Sequence, residues 1–211
     1  MKIVIFGATG GTGRHLVEQA LADGHSVTAF VRDPAKLPLN HKNLKIVPGD
    51  VLHYSTVEPA VVGQEAVLSA LGSGTQKDTL RSTGTRHIIQ AMEKLGVKRL
   101  VCETSLGYGD SRQVLDRTPF YFKYLIVPLL LRHGFADHEL QESYIKQSTL
   151  DWIIARPGNL TDGQRTGVYR HGFPANDQKI TVKISRADVA DFMLKQLTDN
   201  TYLRQTPGLS Y

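Results

Sequence analysis

Residues 2–33, KIVIFGATGGTGRHLVEQALADGHSVTAFVRD, decide the fold of this 211-residue chain. A short apolar run is followed at once by a cluster of glycines and by a helical pattern that stops near Gly24. The cluster consists of Gly7, Gly10, Gly11 and Gly13. Because glycine weakens both helices and strands, such a cluster indicates that another group approaches the backbone there. The order strand, glycine turn, helix and strand predicts a βαβ unit.

The same alternation continues along the chain. Further strands are predicted at NLKIVPGD, EAVLSALG, VKRLVCETS and LDWIIARPG. Helices are predicted at STVEPAVVG, DTLRSTGTRHIIQAMEKLG, ADHELQESYIKQS and SRADVADFMLKQL, the last with Ser185 as its N-cap. Strands that are nearly all apolar belong to a parallel sheet covered on both faces. The sequence therefore predicts an α/β fold, a single domain over 1–211 with a Rossmann-type doubly wound parallel sheet.

Two parts of the chain are less regular and are expected to shape the substrate pocket, residues 106–135 and 159–183. Residues 106–118 are predicted to form a loop. The apolar stretch FYFKYLIVPLLL, residues 120–131, is interpreted as either a buried helix or the wall of a pocket.

Composition excludes several classes of protein. Hydrophobic residues make up 41% of the chain, enough for a core, so neither disorder nor a fibrous protein is expected. The net charge is +5, but the cations are scattered, which favours a small polyanion over nucleic acid. The single cysteine, Cys102, excludes an intrachain disulfide and indicates a cytoplasmic protein. No stretch resembles a signal peptide or is long enough to span a membrane.

The glycines of the first turn are spaced Gly7-x-x-Gly10-x-x-Gly13, in a layout typical of a dinucleotide-binding turn. We expect Gly7 to end the strand in a tight turn, Gly10 to admit a pyrophosphate and Gly13 to let the helix pack close to the sheet. Amide groups at the start of the helix then face the phosphates, helped by the helix dipole. An ordinary strand-to-helix turn is the alternative.

The end of the second strand indicates which dinucleotide is bound. Arg32 stands where an acidic residue would select NAD by binding the ribose hydroxyls. A guanidinium instead pairs with a 2′-phosphate and stacks on adenine, and Lys36 adds a second cation. Asp33 is assigned to capping the next turn. The sequence therefore predicts NADPH.

The third and fourth strands end at positions that border the adenosine half of such a cofactor. Asp50 and Val51 follow the third strand, and Asp50 is a candidate acceptor for the adenine amino group. A turn or helix cap is the alternative role for this aspartate. Leu71 and Gly72 follow the fourth strand, where small residues allow close approach to the ribose on the nicotinamide side.

The fifth and sixth strands end near the expected position of the nicotinamide. Thr104 and Ser105 follow the fifth strand at the carboxyl edge of the sheet, where open α/β sheets bind ligands. Residues that follow the sixth strand are expected on the other side of the ring, namely Pro157, Gly158 and Asn159.

Together, GATGGTG, VRDPAKLP, GDV, LG, TS and RPGN resemble the atypical short-chain dehydrogenases/reductases with NmrA-like domains, and among them the flavin and biliverdin reductase type. The resemblance covers most of the chain and implies NADPH bound in extended form, an open acceptor site, and a monomer. It implies that the pyrophosphate is held by Gly7, Thr9, Gly10, Gly11, Thr12 and Gly13. The 2′-phosphate is assigned to Arg32 and Lys36, and adenine to Asp50 and Val51. The ribose is assigned to Leu71 and Gly72, and the nicotinamide side to Thr104 and Ser105.

The chain departs from that family at two places. A histidine after the sixth strand is replaced by Asn159, which puts a histidine contact to cofactor or substrate in doubt. A basic residue after the fourth strand is replaced by Ser73 and Gly74.

The tyrosines limit the chemistry. None of the seven tyrosines that have a residue four positions later is followed there by lysine, so the tyrosine–lysine pair of common short-chain dehydrogenases is absent. Flavin reduction needs no strong protein acid, because hydride transfer to N5 leaves a delocalised anion. A bilin needs a proton on a pyrrole nitrogen, and Ser105 is the candidate relay, with Thr104 beside it. Alternatively, the Ser105 hydroxyl satisfies the backbone at the strand end.

The sequence therefore predicts an NADPH-dependent reductase of flavins (FMN, FAD, riboflavin) and of biliverdin, giving bilirubin. A non-catalytic NmrA-like NADP-binding redox sensor is the alternative, and an epimerase or dehydratase acting on a nucleotide sugar is a third possibility. No metal site is predicted. His133, Asp137, His138 and Glu142 stand at helical spacing but are interpreted as a solvated helix face.

Overall fold

A computed structural model describes residues 1–72, 79–174 and 176–211. Ser73 and Gly74 lie outside these ranges. The strands are β1 (Lys2–Phe6), β2 (Ser26–Val31), β3 (Leu44–Pro48), β4 (Ala66–Ser69), β5 (Arg99–Glu103), β6 (Asp151–Pro157), β7 (Asn159–Thr161), β8 (Arg170–His171), β9 (Lys183–Ser185) and β10 (Gly208–Ser210). The helices are α1 (Gly11–Ala22), α2 (Tyr54–Val61), α3 (Leu80–Leu95), α4 (Arg132–Gln147) and α5 (Arg186–Lys195). Short 3-10 turns cover Pro34–Lys36 and Gly109–Arg117, and Phe122–Leu131 is π-helical.

The central sheet has the strand order β3-β2-β1-β4-β5-β6-β10-β8. Among the described residues, every pairing from β3 to β10 in this order is parallel, and the β10–β8 pairing is antiparallel. The order reverses between β1 and β4, which is the point at which doubly wound sheets bind ligands. This confirms the predicted Rossmann-type sheet. None of the helices in the described ranges is long and apolar enough to cross a membrane.

Both faces of the sheet are buried, because alternate residues of each strand point to opposite sides. Ile3 and Ile5 of β1 pack in one core with α1 and α5, through residues that include Leu16 and Phe192. On the other face, Val4 and Phe6 pack with α2, α3 and α4 through residues that include Val57, Ile88 and Ile145. The continuous apolar runs of the sequence follow from this double coverage.

The glycine turn brings α1 directly against the end of β1. Gly7 has φ +79°, a conformation that favours glycine, and a Cβ there would lie 2.2 Å from the carbonyl oxygen of Ala70. A Cβ on Gly13 would lie 2.0 Å from the carbonyl oxygen of Gly7. The tight turn and the close helix packing predicted for these two residues are both present.

The segment between β5 and α4 differs from the prediction. Residues 109–117, expected as loop, form a 3-10 segment with Val114 and Leu115 buried. The interpretation of residues 120–131 as a buried helix is wrong, because Phe120, Leu125 and Leu129 are among its exposed side chains. A cavity opens at the carboxyl edge of the sheet, and none of the described residues that line it comes from this stretch. Apolarity all round a helix is therefore no evidence of burial here.

The close approach of α1 to β1 predicts a position-specific effect of glycine replacement. Gly13→Ala is expected to lower the free energy of unfolding by about 2–3 kcal/mol, because its methyl group meets a backbone carbonyl that cannot rotate away. Gly134→Ala is the matched control, since no atom lies within 4 Å of a Cβ on this helical residue. We expect the control to raise stability by up to about 1 kcal/mol. Urea unfolding measures the free energy of unfolding of both variants. Equal changes for the two substitutions would contradict the close contact of α1 with β1.

Candidate functional site

A cavity of about 520 Å³ opens at the carboxyl edge of the sheet. This volume is in the range of cofactor and ligand sites. Predicted residues that line it are Gly7, Thr9, Gly10, Gly11, Thr12, Arg32, Lys36, Val51, Leu71, Gly72, Thr104 and Ser105. The remaining described lining residues are Phe30, Val31, Gly49, Ala70, Leu80, Arg81, Glu103, His138, Leu160 and Arg186.

One side of the cavity is the N-terminus of α1. Gly10 is its N-cap residue and has no side chain to satisfy the first amide groups of the helix. These amides and the helix dipole make the turn a site for an anion. The side chain of Arg186, the first residue of α5, lies over Gly11, with Cδ 2.5 Å from where a Cβ on Gly11 would be. Arg186 therefore adds a guanidinium beside the glycine turn.

Two cations stand at the end of β2. Arg32 and Lys36 are exposed and line the cavity, and within the described ranges neither side chain has a salt-bridge partner. Asp33 does not neutralise them: its Oδ1 accepts a hydrogen bond from the Ala35 amide at 3.0 Å and caps the 3-10 turn, as predicted. The cations are thus available to a phosphate.

Five predicted cofactor residues are absent from the described lining of the cavity. The carboxylate of Asp50 accepts from the Leu52 amide at 2.9 Å, the turn-capping alternative considered above, while Val51 lines the cavity. Pro157, Gly158 and Asn159 are also absent from the described lining, because the chain turns there to pair β7 with β9 and the Asn159 amide donates to Val182. Leu160, one residue further on, lines the cavity instead. Gly13 lies beneath the turn and packs against Gly7.

Glu103, the last residue of β5, is a buried carboxyl group at the cavity. Thr12 Oγ1 donates to Glu103 Oε1 at 3.0 Å, so this hydroxyl is engaged by the protein. Burial raises the pKa of Glu103 to about 7, opposed by the Thr12 hydrogen bond and by the charges of Arg186 and Arg81. The raised pKa favours the neutral carboxyl group, which repels a nearby phosphate less than a carboxylate would.

The two predicted catalytic hydroxyls both reach the cavity, each with a protein partner. Thr104 Oγ1 donates to Glu142 Oε1 at 3.0 Å. Ser105 Oγ donates to the carbonyl oxygen of Leu106 at 3.1 Å, which is the backbone role considered as the alternative. The lone pairs of Ser105 remain for a ligand or water.

The interpretation of α4 as a solvated face is wrong for three of its four residues. His133 is exposed, but Asp137, His138 and Glu142 are buried. Asp137 accepts from the amides of Arg81 and Ser82 and so caps the N-terminus of α3 from a neighbouring helix. The described residues hold no group of three or more potential metal ligands.

Glu142 is the centre of a buried ionic cluster behind Thr104. Arg156 of β6 donates to both carboxylate oxygens, at 2.8 and 2.6 Å, and Lys146 and Tyr108 also donate to the carboxylate. Burial opposes ionisation, but these hydrogen bonds outweigh it and lower the pKa of Glu142 to about 2. The cluster ties together β5, β6, α4 and the segment that follows Ser105, and so fixes the wall of the cavity.

The arrangement fits a dinucleotide with an additional phosphate. Amides at the N-terminus of α1 have no side-chain cap, the glycine turn carries no Cβ, and two cations without a salt-bridge partner among the described residues follow β2. Gly7, Gly10 and Gly11 would hold the diphosphate, and Arg32 and Lys36 the 2′-phosphate.

Comparison with known proteins agrees with this geometry. The chain belongs to the NAD(P)H-binding family, whose model matches residues 7–200. An uncharacterized chloroplastic protein of Arabidopsis thaliana is 31% identical over 79% of this chain and 61% of its own length. A 3-diazoavenalumate denitrifying reductase of Streptomyces is 32% identical over 82% of this chain and 60% of its own. The chain thus spans about three fifths of the length of these two relatives.

A solved structure with the same fold is ChuY, an anaerobilin reductase from Escherichia coli O157:H7. It aligns with a TM-score of 0.81 and 26% identity, over 100% of this chain and 97% of ChuY. The protein is therefore a member of an oxidoreductase-type family whose matched relatives include reductases.

Sequence reasoning missed Glu103, Arg186 and Leu160, and it did not place His138 at the cavity. One signal was present: Glu103 interrupts the apolar run VKRLVCETS, and a carboxyl group inside a buried strand needs a partner. Arg186 carried no such signal, because its approach to Gly11 depends on how α5 packs on α1.

Glu103 predicts an unusual dependence of stability on pH. The ordinary pKa of a glutamate, taken for the unfolded chain, is 4.5, and the pKa of Glu103 in the folded protein is about 7. Between these pH values the folded protein binds more protons than the unfolded chain. The free energy of unfolding therefore falls as the pH rises from 4.5 to 7. Glu103→Gln removes this loss, which is expected to reach about 3 kcal/mol by pH 8. Urea unfolding at pH 5 and pH 8 measures the effect, with the exposed Glu139→Gln as control. The same change in the free energy of unfolding between pH 5 and pH 8 for wild type and Glu103→Gln would refute the role of Glu103.

Proposed function

We propose that the protein is an NADPH-dependent reductase that transfers hydride to flavins and to biliverdin, giving bilirubin in the second case. The observation that carries the proposal is one cavity with an uncapped helix N-terminus, unpaired cations at one end and Thr104 and Ser105 at another. Binding of NAD(P)H follows from the family. The resemblance of the sequence to biliverdin reductase B supports the acceptor class.

The preference for NADPH over NADH rests on Arg32 and Lys36. A guanidinium can bind a 2′-phosphate with two hydrogen bonds, whereas the ribose hydroxyl of NADH offers no charge to either cation. Asp33 is adjacent in sequence, but its capping bond to Ala35 directs the carboxylate to the backbone. The selective acid expected of an NAD site is therefore absent from this position.

Tyr108, which stacks on the cavity residue His138, is unsuited to alcohol or ketone chemistry. Tyr108 donates to Glu142 at 2.6 Å, and burial together with this carboxylate raises the pKa of Tyr108. A catalytic tyrosine needs the opposite shift. This supports an acceptor that requires no strong protein acid, as the sequence resemblance implies. The name of ChuY, an anaerobilin reductase, supports a bilin as one such acceptor.

The residues of the chain then have distinct tasks. NADPH, when bound, supplies the hydride. Thr104, held by Glu142, and Ser105 border the reacting groups and orient them. A flavin takes the hydride at N5 and a proton from water. A bilin takes the hydride at its central carbon bridge, and Ser105 passes a proton from water to the pyrrole nitrogen.

Turnover distinguishes the reductase from the alternative redox sensor. Purified protein is mixed with NADPH and FMN, or with biliverdin, and the nicotinamide absorbance is followed. We expect oxidation of NADPH that depends on protein and acceptor. Calorimetric binding of NADPH without turnover of any acceptor would favour the sensor, and no binding of NADPH would overturn both.

Arg32→Ala tests the cofactor preference. The substitution is expected to raise the dissociation constant of NADPH by about tenfold or more, and that of NADH by much less, because only NADPH loses a charge-assisted hydrogen bond. Calorimetric titration measures both dissociation constants. Lys42→Ala, an exposed cation outside the described cavity lining, is the control. Equal weakening of the two cofactors would show that Arg32 does not bind the 2′-phosphate.

A further inference from the structure

His138 is a buried imidazole at the cavity that the predicted cofactor contacts do not use. It belongs to α4, is 8% exposed and lines the same cavity as Thr104 and Ser105. The dinucleotide positions come from the strand ends and the glycine turn. His138 instead comes from α4, on which no cofactor contact is predicted.

Gln141 fixes which ring nitrogen of His138 carries the proton. The amide nitrogen of Gln141 donates to Thr85 Oγ1 at 3.0 Å and to Cys102 Sγ at 3.3 Å. Its Oε1 therefore faces His138 Nδ1, at 3.0 Å. Because a carbonyl oxygen only accepts, Nδ1 must carry the hydrogen and Nε2 must keep its lone pair.

The imidazole is neutral at physiological pH. Burial, together with the charge of Arg81, lowers the pKa of His138 to about 4, against smaller opposing effects of Gln141, Asp137 and Glu142. A ring with this pKa is a hydrogen-bond acceptor at Nε2 and no proton donor. Within the described ranges, Nε2 has no partner in the protein.

The ring is also held in orientation. Tyr108 stacks on His138, with ring centroids 5.8 Å apart and an angle of 11° between the planes. The Tyr108 hydroxyl is itself fixed by Glu142. Rotation of the imidazole would lose both the bond to Gln141 and the stacking, so the lone pair of Nε2 is preorganised.

We propose that His138 Nε2 accepts a hydrogen bond from an N–H group of the bound acceptor, and that His138 selects acceptors that present such a group. The proposal rests on the proposed reductase function and narrows its substrate class. Flavins carry an imide N–H at N3, and bilins carry pyrrole and lactam N–H groups. A site built around a buried acceptor discriminates against analogues that leave it unpaired.

The test compares lumiflavin with 3-methyllumiflavin, which differ in the N3 hydrogen. Wild-type protein is expected to show about tenfold lower kcat/KM for the methylated flavin. His138→Phe, which retains a ring to stack on Tyr108, is expected to reduce the two flavins with equal kcat/KM and to bind NADPH with unchanged affinity. His133→Phe, on the exposed part of the same helix, is the control and should behave as wild type.

Each result decides a different question. Wild-type turnover of both flavins at the same rate would overturn the role of His138. A loss of NADPH affinity in His138→Phe would assign the residue to the cofactor and overturn it as well. No turnover of either flavin would overturn the proposed function from which this contact follows. Nitrogen-15 NMR of wild-type protein needs no variant: at pH 7 we expect the hydrogen on Nδ1, and a hydrogen on Nε2 would refute the proposal.

Discussion

Helix α1 meets the end of β1 so closely that the carbonyl oxygen of Gly7 lies 2.0 Å from where a Cβ on Gly13 would be. This contact places the first amides of the helix at the carboxyl edge of the sheet, next to the point where the strand order reverses. The anion site, the cations at the end of β2 and the hydroxyls at the end of β5 are arranged around that edge. A larger residue at either glycine would move the helix and with it the anion site.

Two buried carboxyl groups near the cavity have opposite pKa shifts, and their partners explain the difference. Glu103 accepts one hydrogen bond from a hydroxyl and forms no ion pair among the described residues, so burial outweighs the charges of Arg186 and Arg81 and raises its pKa to about 7. Glu142 receives two hydrogen bonds from Arg156 and others from Lys146 and Tyr108, so its pKa falls to about 2. One group is thus suited to lie near a diphosphate, and the other is a fixed charge that holds the cavity wall.

The regular elements were predictable where the pattern was long and consistent. The six parallel strands and the starts of α1 and α5 were found because apolar runs, the glycine turn and the Ser185 cap agree with one another. β7 and β10 were missed because three residues carry no periodicity. The π-helical Phe122–Leu131 was expected to be a buried helix or the wall of a pocket, since its sequence is apolar on every side. Several of its side chains are nevertheless exposed.

By itself, the sequence determined the doubly wound sheet, the glycine turn, and the presence of Arg32 and Lys36 just after the end of β2. Each of these depends on residues that are neighbours in the chain, whose backbone geometry and strand direction fix where they stand. Only the tertiary structure decided that one face of α4 is buried, because Asp137 and Glu142 on that face are satisfied by distant residues. Arg156 lies 14 residues from Glu142, and Ser82 lies 55 residues from Asp137. The same holds for His138 at the cavity. A buried polar group is stable only with partners, and local sequence does not say which distant residues supply them.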